Sequence, residues 1–472
     1  MLKQLLSLGL DVGTTTTQLV LSELTVENQA SSFTVPRMEI TNRKIIYRSP
    51  VRFTPITSRG IIDGEEIKTW VAQQYAAAGV QRQQVDTGAI IVTGETSRKE
   101  NAQAVLHALS SFAGDFVVAT AGPDLESVLA AKGAGAQHLS EKTNKDVLHM
   151  DIGGGTSNLA LLRDGQVLRT GCLNVGGRLL KFGEDGKVSY VSDALKGIMD
   201  FQVGEQPSRE KTRQLAALLA QGLEMAAGLR PATQLLEKLC TKEAQQSWQP
   251  PQQPVAVSFS GGVADCIEKS CSPRAFGDIG PELGQAIYQS RLCQEEYTLG
   301  AETIRATVIG AGCHSARLSG STVFYRNVSL PMKNLPVVMF TRQEQEDPSL
   351  PVLISQRIRQ TEGSAVVLAM PGVVAPTYEA VAALADAIAK ASCPGGVYIC
   401  LEADMAKALG NALSLRLSPD TPCLCIDSIP LTAQSYLDIG APVGPCLPVV
   451  IKTLVLEREK GVNYEAENHI IG

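Results

Sequence analysis

Two short stretches with the same pattern decide the fold: Leu10-Asp11-Val12-Gly13-Thr14-Thr15-Thr16-Thr17 and Met150-Asp151-Ile152-Gly153-Gly154-Gly155-Thr156-Ser157-Asn158. Each reads as an apolar strand, an aspartate, a turn of small residues and a second apolar strand. Glycine lets backbone N–H groups approach a phosphate closely, and an aspartate offers a hard oxygen to Mg²⁺. A single Asp-x-Gly turn is most simply an ordinary hairpin. Two such turns, 140 positions apart, predict a phosphate chain held between two similar half-domains.

A third stretch, residues 255–265 (VAVSFSGGVAD), is a short apolar run that ends in Ser260, Gly261 and Gly262. The run predicts a buried strand, and the two glycines leave bare backbone at its carboxyl end. A base or a ribose can rest against such backbone. We therefore interpret this turn as the adenosine side of the same site.

In chain order these three stretches resemble the nucleotide site of the actin-like ATPases, a superfamily that includes Hsp70 chaperones, sugar kinases and actin. The resemblance implies an α/β fold of the actin-like (ribonuclease H-like) type, with two lobes that close on ATP and Mg²⁺. Positioning and electrostatic stabilisation would do most of the catalysis. Asp11 and Asp151 would hold Mg²⁺ or its waters, and one of them would lie near the attacking water. The residues implied to contact the nucleotide are Gly13, Thr14, Thr15, Thr16, Gly153, Gly154, Gly155 and Thr156 at the phosphates, with Ser260, Gly261 and Gly262 at the adenosine.

Two further segments match places that this fold requires. Glu126 lies in residues 121–133, which resemble the helix that connects the two lobes, and Gly176-Gly177 resembles the turn after the second phosphate hairpin. Glu95 follows a predicted strand in a polar turn and is the one extra carboxylate considered for catalysis, through water or metal. A helix-capping loop before Arg98 explains Glu95 equally well.

Other polar residues near the three stretches give weaker signals. Residues 308–315 (VIGAGCHS) have two glycines but lack the complete dinucleotide-binding pattern, so we expect a turn beside the nucleotide. His107 and His149 have no partner visible in the sequence, and we interpret both as structural.

Over nearly its whole length the chain is similar to a narrower family, the ethanolamine ammonia-lyase reactivating factors. The segments that carry this resemblance are 7–17, 151–158, 259–264, 277–281, 308–315, 436–440 and 447–455. The C-terminal blocks narrow the family, because the phosphate turns are common to the superfamily. Such factors act on an adenosylcobalamin-dependent lyase whose cofactor has lost its adenosyl group. The resemblance implies a chaperone-like ATPase whose partner is inactivated ethanolamine ammonia-lyase and whose motion releases the damaged cobalamin.

Composition and charge indicate which other partners and which cellular compartment to expect. The chain has a net charge of −6, and its sequence contains no basic stripe. We therefore expect no nucleic-acid partner. The longest uncharged apolar stretch, residues 363–378, contains two prolines and is too short to span a membrane. The eleven cysteines lack metal-ligand spacing and are interpreted as reduced thiols of a cytoplasmic protein. Entry into an ethanolamine bacterial microcompartment and assembly as a homodimer are options that the sequence leaves open.

At 472 residues the chain exceeds what one hydrophobic core usually holds. We predict a first half-domain over 1–146, a second over 147–329 and an additional C-terminal α/β domain over 330–472. The C-terminal domain has no phosphate loop of its own and is a candidate for client binding. Two other functions stay open at this point: a sugar-kinase-type small-molecule kinase, with Asp63 or Asp124 as general base, and a filament-forming actin relative.

Overall fold

The computed structural model describes residues 3–453, with the exception of 14–15, 29–37, 56, 58–60, 94–116, 121–122, 144, 254, 270, 295, 301, 315, 320–321, 362–364, 374–375, 430, 432–434, 441 and 443–445. Two compact units make up the chain. Unit 1 comprises 1–321, 329–334 and 438–452, and unit 2 comprises 322–328, 335–437 and 453–472. The predicted bounds at 146/147 and 329/330 stay predictions, and residues 438–452 belong to unit 1.

The first half of unit 1 is built on one mixed sheet covered by helices. Its strands are β1 (Lys3–Val12), β2 (Thr16–Asn28), β3 (Met38–Arg48), β4 (Arg52–Phe53), β5 (Thr87–Val92) and β6 (Val117–Thr120). The helices in this part of the chain are α1 (Gly64–Ala78), α2 (Pro123–Gly133) and α3 (Ala136–Thr143). Helix α1 packs on this sheet, whereas α2 and α3 pack mainly on the sheet of the second half. The strand order is β3-β2-β1-β5-β6, with β4 on β2. Antiparallel pairing joins β1, β2 and β3, whereas β5 and β6 continue the sheet in parallel with β1.

The second half repeats this plan. Its strands are β7 (Val147–Ile152), β8 (Ser157–Arg163), β9 (Gln166–Leu173), β10 (Leu180–Phe182), β11 (Val188–Val191), β12 (Ala256–Ser260) and β13 (Tyr297–Leu299). The helices in this part of the chain are α4 (Arg209–Ala226), α5 (Gln234–Leu239), α6 (Lys242–Ser247), α7 (Gly280–Tyr288) and α8 (Ala306–His314). Helix α8 packs on the first sheet, against β1, β2 and β5. The main sheet has the order β9-β8-β7-β12-β13, and its parallel and antiparallel pairings match those of the first sheet strand for strand. The two main sheets of unit 1 therefore share one topology.

Local sequence explains the individual elements. The strands β5 (TGAIIV) and β7 (VLHMDI) are buried along their whole length, and most of their residues are apolar. Helix α1 begins where Asp63 Oδ1 accepts the N–H of Glu66 at 3.0 Å. The β8–β9 hairpin turns at Asp164-Gly165, whose φ angles of 49° and 77° suit an Asp-Gly pair. Residues with strong turn or capping preferences thus set the ends of the elements.

Helix α8 corrects the sequence-based expectation for residues 308–315. Of these residues, 308–314 form most of helix α8 and not a turn, and their glycines allow close packing. A β-carbon on Gly310 would lie 2.0 Å from the carbonyl oxygen of Leu129, and one on Gly133 would lie 1.8 Å from that of Ala306. Only glycine allows two backbones to approach this closely. The contact brings α8 directly onto α2.

Unit 2 is a separate α/β layer arrangement. Its strands are β15 (Phe324–Arg326), β16 (Met332–Met339), β17 (Val367–Met370), β18 (Val397–Leu401) and β19 (Cys423–Asp427). The first three residues of β16 belong to unit 1. Its helices are α9 (Arg342–Glu346), α10 (Leu350–Gln360), α11 (Tyr378–Ala389) and α12 (Ala406–Ser414). β16 to β19 are parallel in sequential order, and β15 pairs antiparallel with β19. The helices cover an apolar core that includes Ile354, Leu384 and Leu409.

The remaining strands are β14 (Ala316–Leu318), β20 (Ser435–Ile439) and β21 (Pro448–Thr453). In unit 1, β14 and β21 pair antiparallel, so the C-terminal block that helped to define the family returns to the first unit. Among the residues described, none of the helices combines the length and apolar character that crossing a membrane requires.

We predict that Gly310→Ala lowers thermal stability, because the added methyl group overlaps the Leu129 carbonyl. Overpacking of this kind costs roughly 1–3 kcal/mol. The control is Gly155→Ala, where the same methyl group meets no atom within 4 Å. Differential scanning fluorimetry of both variants provides the measurement. Equal melting temperatures would show that α8 and α2 can separate without loss.

Candidate functional site

A cleft of about 360 Å³ lies between the two main sheets of unit 1. Both turns identified in the sequence line it, together with the turn after β12. The described residues on its wall include Asp11, Gly13, Thr16, Gln18, Thr93, Glu126, Asp151, Gly153, Gly154, Gly155, Thr156, Asn158, Arg178, Gly261, Gly262, Asp265, Phe276, Asp278 and Thr307. The structure therefore brings together most of the residues that the sequence singled out.

The two turns have the same backbone geometry. Gly13 donates its N–H to the Thr16 carbonyl at 2.9 Å, and Gly153 donates to the Thr156 carbonyl at the same distance. Thr14 and Thr15, predicted phosphate contacts, lie outside the described residues, as does the extra carboxylate Glu95. The second turn is described completely, and it supplies the evidence for the phosphate role.

Backbone donors in the second turn face the cleft without an internal acceptor. Within the described part of the chain, no backbone carbonyl accepts the N–H groups of Gly154, Gly155 or Thr156. The turn is braced from behind, because Gly177 and Arg178 donate to the carbonyls of Gly153 and Gly154 at 3.1 and 2.6 Å. Successive N–H groups held in this way form an anion-binding concavity. The Gly176-Gly177 match thus has a clear structural role: it holds the turn in place.

Asp11 is partly buried at the carboxyl end of β1. Its Oδ1 accepts a hydrogen bond of 2.8 Å from the Thr93 hydroxyl. Burial raises the pKa of Asp11 to about 7; the Thr93 bond lowers it, and the negative charge of Asp151 raises it further. Asp11 therefore lies close enough to Asp151 for their charges to interact. A shared Mg²⁺ site at this pair stays a prediction.

Asp151 occupies the matching position at the end of β7. Its Oδ1 accepts the Ser260 hydroxyl at 2.5 Å, and its Oδ2 lies 3.5 Å from the Thr307 hydroxyl. Burial raises the pKa of Asp151 to about 6, and the two hydroxyl contacts oppose that rise. Each aspartate thus accepts a hydroxyl from the end of the neighbouring parallel strand.

His149 and Ser258 extend the network behind Asp151. The Nε2 of His149 lies 2.9 Å from the Ser260 hydroxyl and its Nδ1 lies 3.1 Å from the Ser258 hydroxyl. Burial lowers the pKa of His149 to about 3, so the ring is neutral. Since Ser260 donates to the carboxylate, the ring donates from Nε2 and accepts at Nδ1. The structural interpretation of His149 is consistent with these partners, which the sequence did not reveal.

The turn after β12 differs from its predicted role at one residue. Ser260 is fully buried and bonds Asp151 and His149, so its hydroxyl is directed away from the open cleft where adenosine was expected. Gly261 has a φ of 89°, and a β-carbon there would lie 2.3 Å from the Ile152 carbonyl. Gly262 has only the Ile304 side chain near its missing β-carbon, at 3.8 Å. Gly261 therefore shapes the turn, and Gly262 leaves the space that a base or ribose needs.

Sequence analysis missed several residues of the cleft wall. Asn158 Nδ2 donates to Glu126 Oε2 at 2.8 Å, and both side chains are buried. Arg178 Nε contacts Asp278 Oδ2 at 3.2 Å. Glu126 was placed on the connecting helix α2 but not in the site. The signal that could have found Asn158 is its position seven residues after Asp151, which places it opposite that aspartate in a tight hairpin.

The residues present suit a hydrated Mg²⁺ ion. Among the residues described, no cluster of three or more His, Cys, Asp or Glu side chains could enclose a metal by itself. Mg²⁺ usually keeps several waters and binds one or two carboxylates together with substrate phosphates. Asp11 and Asp151, both on the wall of this cleft, provide that number of carboxylates. Asp11 and Asp151 are therefore the side chains that would hold the ion.

The duplicated sheets and the paired turns define an actin-like α/β protein of two lobes with an additional C-terminal α/β unit, and they confirm the predicted fold class. The chain belongs to the family described as ethanolamine utilisation protein EutA, whose model matches residues 3–457. It is 41% identical to the ethanolamine ammonia-lyase reactivase EutA of Salmonella typhimurium over 468 residues, 96% of this chain and 98% of the relative. It is 39% identical to the protein of the same description from Escherichia coli over 469 residues, again 96% and 98%. This result confirms the family that the sequence resembled.

Solved structures give more distant similarities. The crystal structure of the Aquifex aeolicus member of the Ppx/GppA protein family is 12% identical with a TM-score of 0.41, and the match covers 65% of this chain and 97% of that chain. The ethanolamine utilization protein EutJ from Carboxydothermus hydrogenoformans is 14% identical with a TM-score of 0.32, covering 65% and 88%.

We predict that Asp11→Asn stabilises the metal-free protein in alkaline solution. The pKa of Asp11 is raised from 3.8 to about 7 by burial, so the folded protein holds a proton that the unfolded chain releases. The resulting loss of stability grows as the pH rises from about 4 to 7 and is complete above 7. The variant should therefore melt higher by on the order of 2 °C at pH 8, with a smaller gain at pH 5. Thermal melts in EDTA test this. A gain that is equal at both pH values would contradict the buried-charge explanation.

Proposed function

We propose that the chain is an ATP-dependent reactivating factor for ethanolamine ammonia-lyase, which releases damaged cobalamin so that intact cofactor can rebind. The observation that carries the proposal is the pair of matching Asp turns that face one cleft from two copies of the same sheet. Relatives named as ethanolamine ammonia-lyase reactivases share about two fifths of the sequence over nearly the whole chain. The site supports nucleotide binding, and the relatives support the client.

Each part of the cleft has a task in this proposal. The free N–H groups of Gly154, Gly155 and Thr156 bind phosphate oxygens, and the open backbone at Gly262 receives the nucleoside. Bound Mg²⁺ neutralises the charge that develops on the phosphates. Asp11 and Asp151 orient that ion through its waters. Glu126, buried at the cleft wall, replaces the undescribed Glu95 as the extra carboxylate that can orient the attacking water.

The position of the nucleotide couples hydrolysis to motion. Its phosphates contact turns from both sheets of unit 1, so loss of the terminal phosphate removes contacts to both lobes together. Work on a client requires that the ATP and ADP states bind the lyase with different affinity. A difference of about 3 kcal/mol, on the order of 10²-fold, is sufficient to shift a cofactor pocket between closed and open populations.

The kinase alternative lacks support from its two candidate bases. Asp63 caps the N-terminus of α1, and Asp124 is exposed and accepts a 2.5 Å hydrogen bond from Thr170. Neither side chain is on the cleft wall. A general base must come within hydrogen-bond reach of the acceptor hydroxyl. The reactivating role is therefore the better-supported function, and it makes the lyase, not nucleic acid, the partner. A cytoplasmic location, with or without entry into the microcompartment, is part of this proposal.

We predict that Asp151→Asn lowers ATP hydrolysis by roughly 10²-fold or more, since the neutral amide cannot organise Mg²⁺ and its waters in the same way. The matched control is Asp164→Asn, the same change at the exposed β8–β9 turn. Asparagine also tolerates the left-handed backbone found there. Phosphate release under saturating ATP and Mg²⁺ measures the effect. Unchanged turnover in folded Asp151→Asn protein would exclude this role for the carboxylate.

We predict that the protein restores ethanolamine ammonia-lyase that has been inactivated with hydroxocobalamin. Recovery should need ATP, Mg²⁺ and free adenosylcobalamin together, and Asp11→Ala should abolish it, because the lobes then lack one of the two carboxylates. The assay is lyase turnover after incubation with each subset of the three additions. Full recovery without ATP, or phosphorylation of a small metabolite with no effect on the lyase, would contradict the proposal.

A further inference from the structure

Two buried amide side chains occupy equivalent positions in the two phosphate hairpins. Gln18 lies opposite Asp11 in the β1–β2 register, and Asn158 lies opposite Asp151 in the β7–β8 register. Gln18 is 5% exposed and Asn158 is 4% exposed, and both line the cleft. The duplicated fold has thus placed a carboxylate and an amide side by side in each half.

The orientation of each amide follows from its partner. Gln18 Nε2 donates to the Ile304 carbonyl at 3.1 Å, and Asn158 Nδ2 donates to Glu126 Oε2 at 2.8 Å. The Ile304 carbonyl and the Glu126 carboxyl oxygen accept these hydrogen bonds, so the amide nitrogens face them. The amide oxygens are therefore directed to the other side.

Those two oxygens lack a donor. Within the described residues, neither Gln18 Oε1 nor Asn158 Oδ1 has a hydrogen-bond partner, although both are buried. An unsatisfied buried acceptor costs free energy, so a native protein normally supplies it with a donor. Phosphate oxygens of a nucleotide cannot do so, because they are acceptors themselves. The waters bound to a metal ion can, because each carries two strongly polarised O–H groups.

We propose that Gln18 Oε1 and Asn158 Oδ1 are paired acceptors for the water shell of the divalent cation held by Asp11 and Asp151. This inference rests on the proposed Mg²⁺–nucleotide function and specifies how its ion is held. Each lobe then supplies one carboxylate and one amide oxygen, so the hydrated ion is bound from both sides. A site that contacts an ion through the ion's bound waters favours an ion that keeps them. Mg²⁺ loses its waters more reluctantly than Ca²⁺.

The test uses Mn²⁺ as a probe, because its free and bound forms are distinguished by electron paramagnetic resonance. The variants are Gln18→Met and Asn158→Leu in the full-length chain with ADP present. Removing an outer-shell partner typically weakens metal affinity by 10- to 100-fold. We expect each variant to lose at least about 10-fold in Mn²⁺ affinity, while ADP affinity in EDTA stays within about threefold. The control Gln74→Met removes a buried amide whose oxygen already accepts the Tyr47 hydroxyl at 2.9 Å, and it should leave Mn²⁺ affinity unchanged.

The outcomes separate the two levels of the proposal. If wild-type protein binds no Mn²⁺ with ADP, the proposed nucleotide function fails. If wild type binds and Gln18→Met binds equally well, the paired-acceptor inference fails while the function stands. An effect of Asn158→Leu alone also overturns the pairing. Should Gln18→Met not fold, Gln18→Glu replaces it: a charged acceptor at the same place should tighten Mn²⁺ binding, and unchanged or weaker binding would contradict the inference.

Discussion

The burial of two carboxylates at one cleft is the constraint on which the site depends. Asp11 and Asp151 both have raised pKa values, and for each of them loss of solvation is the main cause. A protein that only had to fold would not place two such groups together, since each opposes the ionisation of the other. Hydroxyl donors from Thr93 and Ser260 offset part of the cost. The cation of the proposed site would offset more of that cost.

Duplication explains how the chain could build such a pair. Because the two sheets share one strand order, each places an aspartate at the end of its central strand and an amide directly across the hairpin. The copies then differ where their tasks differ. Behind Asp151 stand Ser260 and a neutral buried His149, and a glycine turn braces the phosphate loop from outside. Among the described residues, more hydrogen bonds thus hold the turn of the second lobe than hold the turn of the first.

The sequence was sufficient for the fold and for the outline of the site because both depend on short-range patterns. Paired Asp-Gly turns, apolar strands and their order in the chain predict two similar lobes and a nucleotide cleft. The features that the sequence could not show depend on contacts between residues that lie far apart in the chain. Ser260 was expected at the adenosine, but its strand register with β7 directs its hydroxyl to Asp151. Residues 308–315 were expected as a turn. In a sequence, a glycine that allows two helices to pack closely cannot be distinguished from a glycine that allows a bend.

Helix α8 contacts both the cleft and the elements that surround it. The backbone of α8 touches α2 through Gly133 and Gly310, and a second contact joins it to β1, where the Ser7 hydroxyl donates to the Gly312 carbonyl at 2.5 Å. Thr307 on the same helix approaches Asp151, and the Ile304 carbonyl just before it accepts the Gln18 amide. One short element therefore contacts the first sheet, the connecting helix and both halves of the cleft. Packed backbones with no side chain between them have no soft layer to absorb a shift. Under the proposed reactivating function, a change in how the cleft holds its ligand would therefore be transmitted to α8 as a whole.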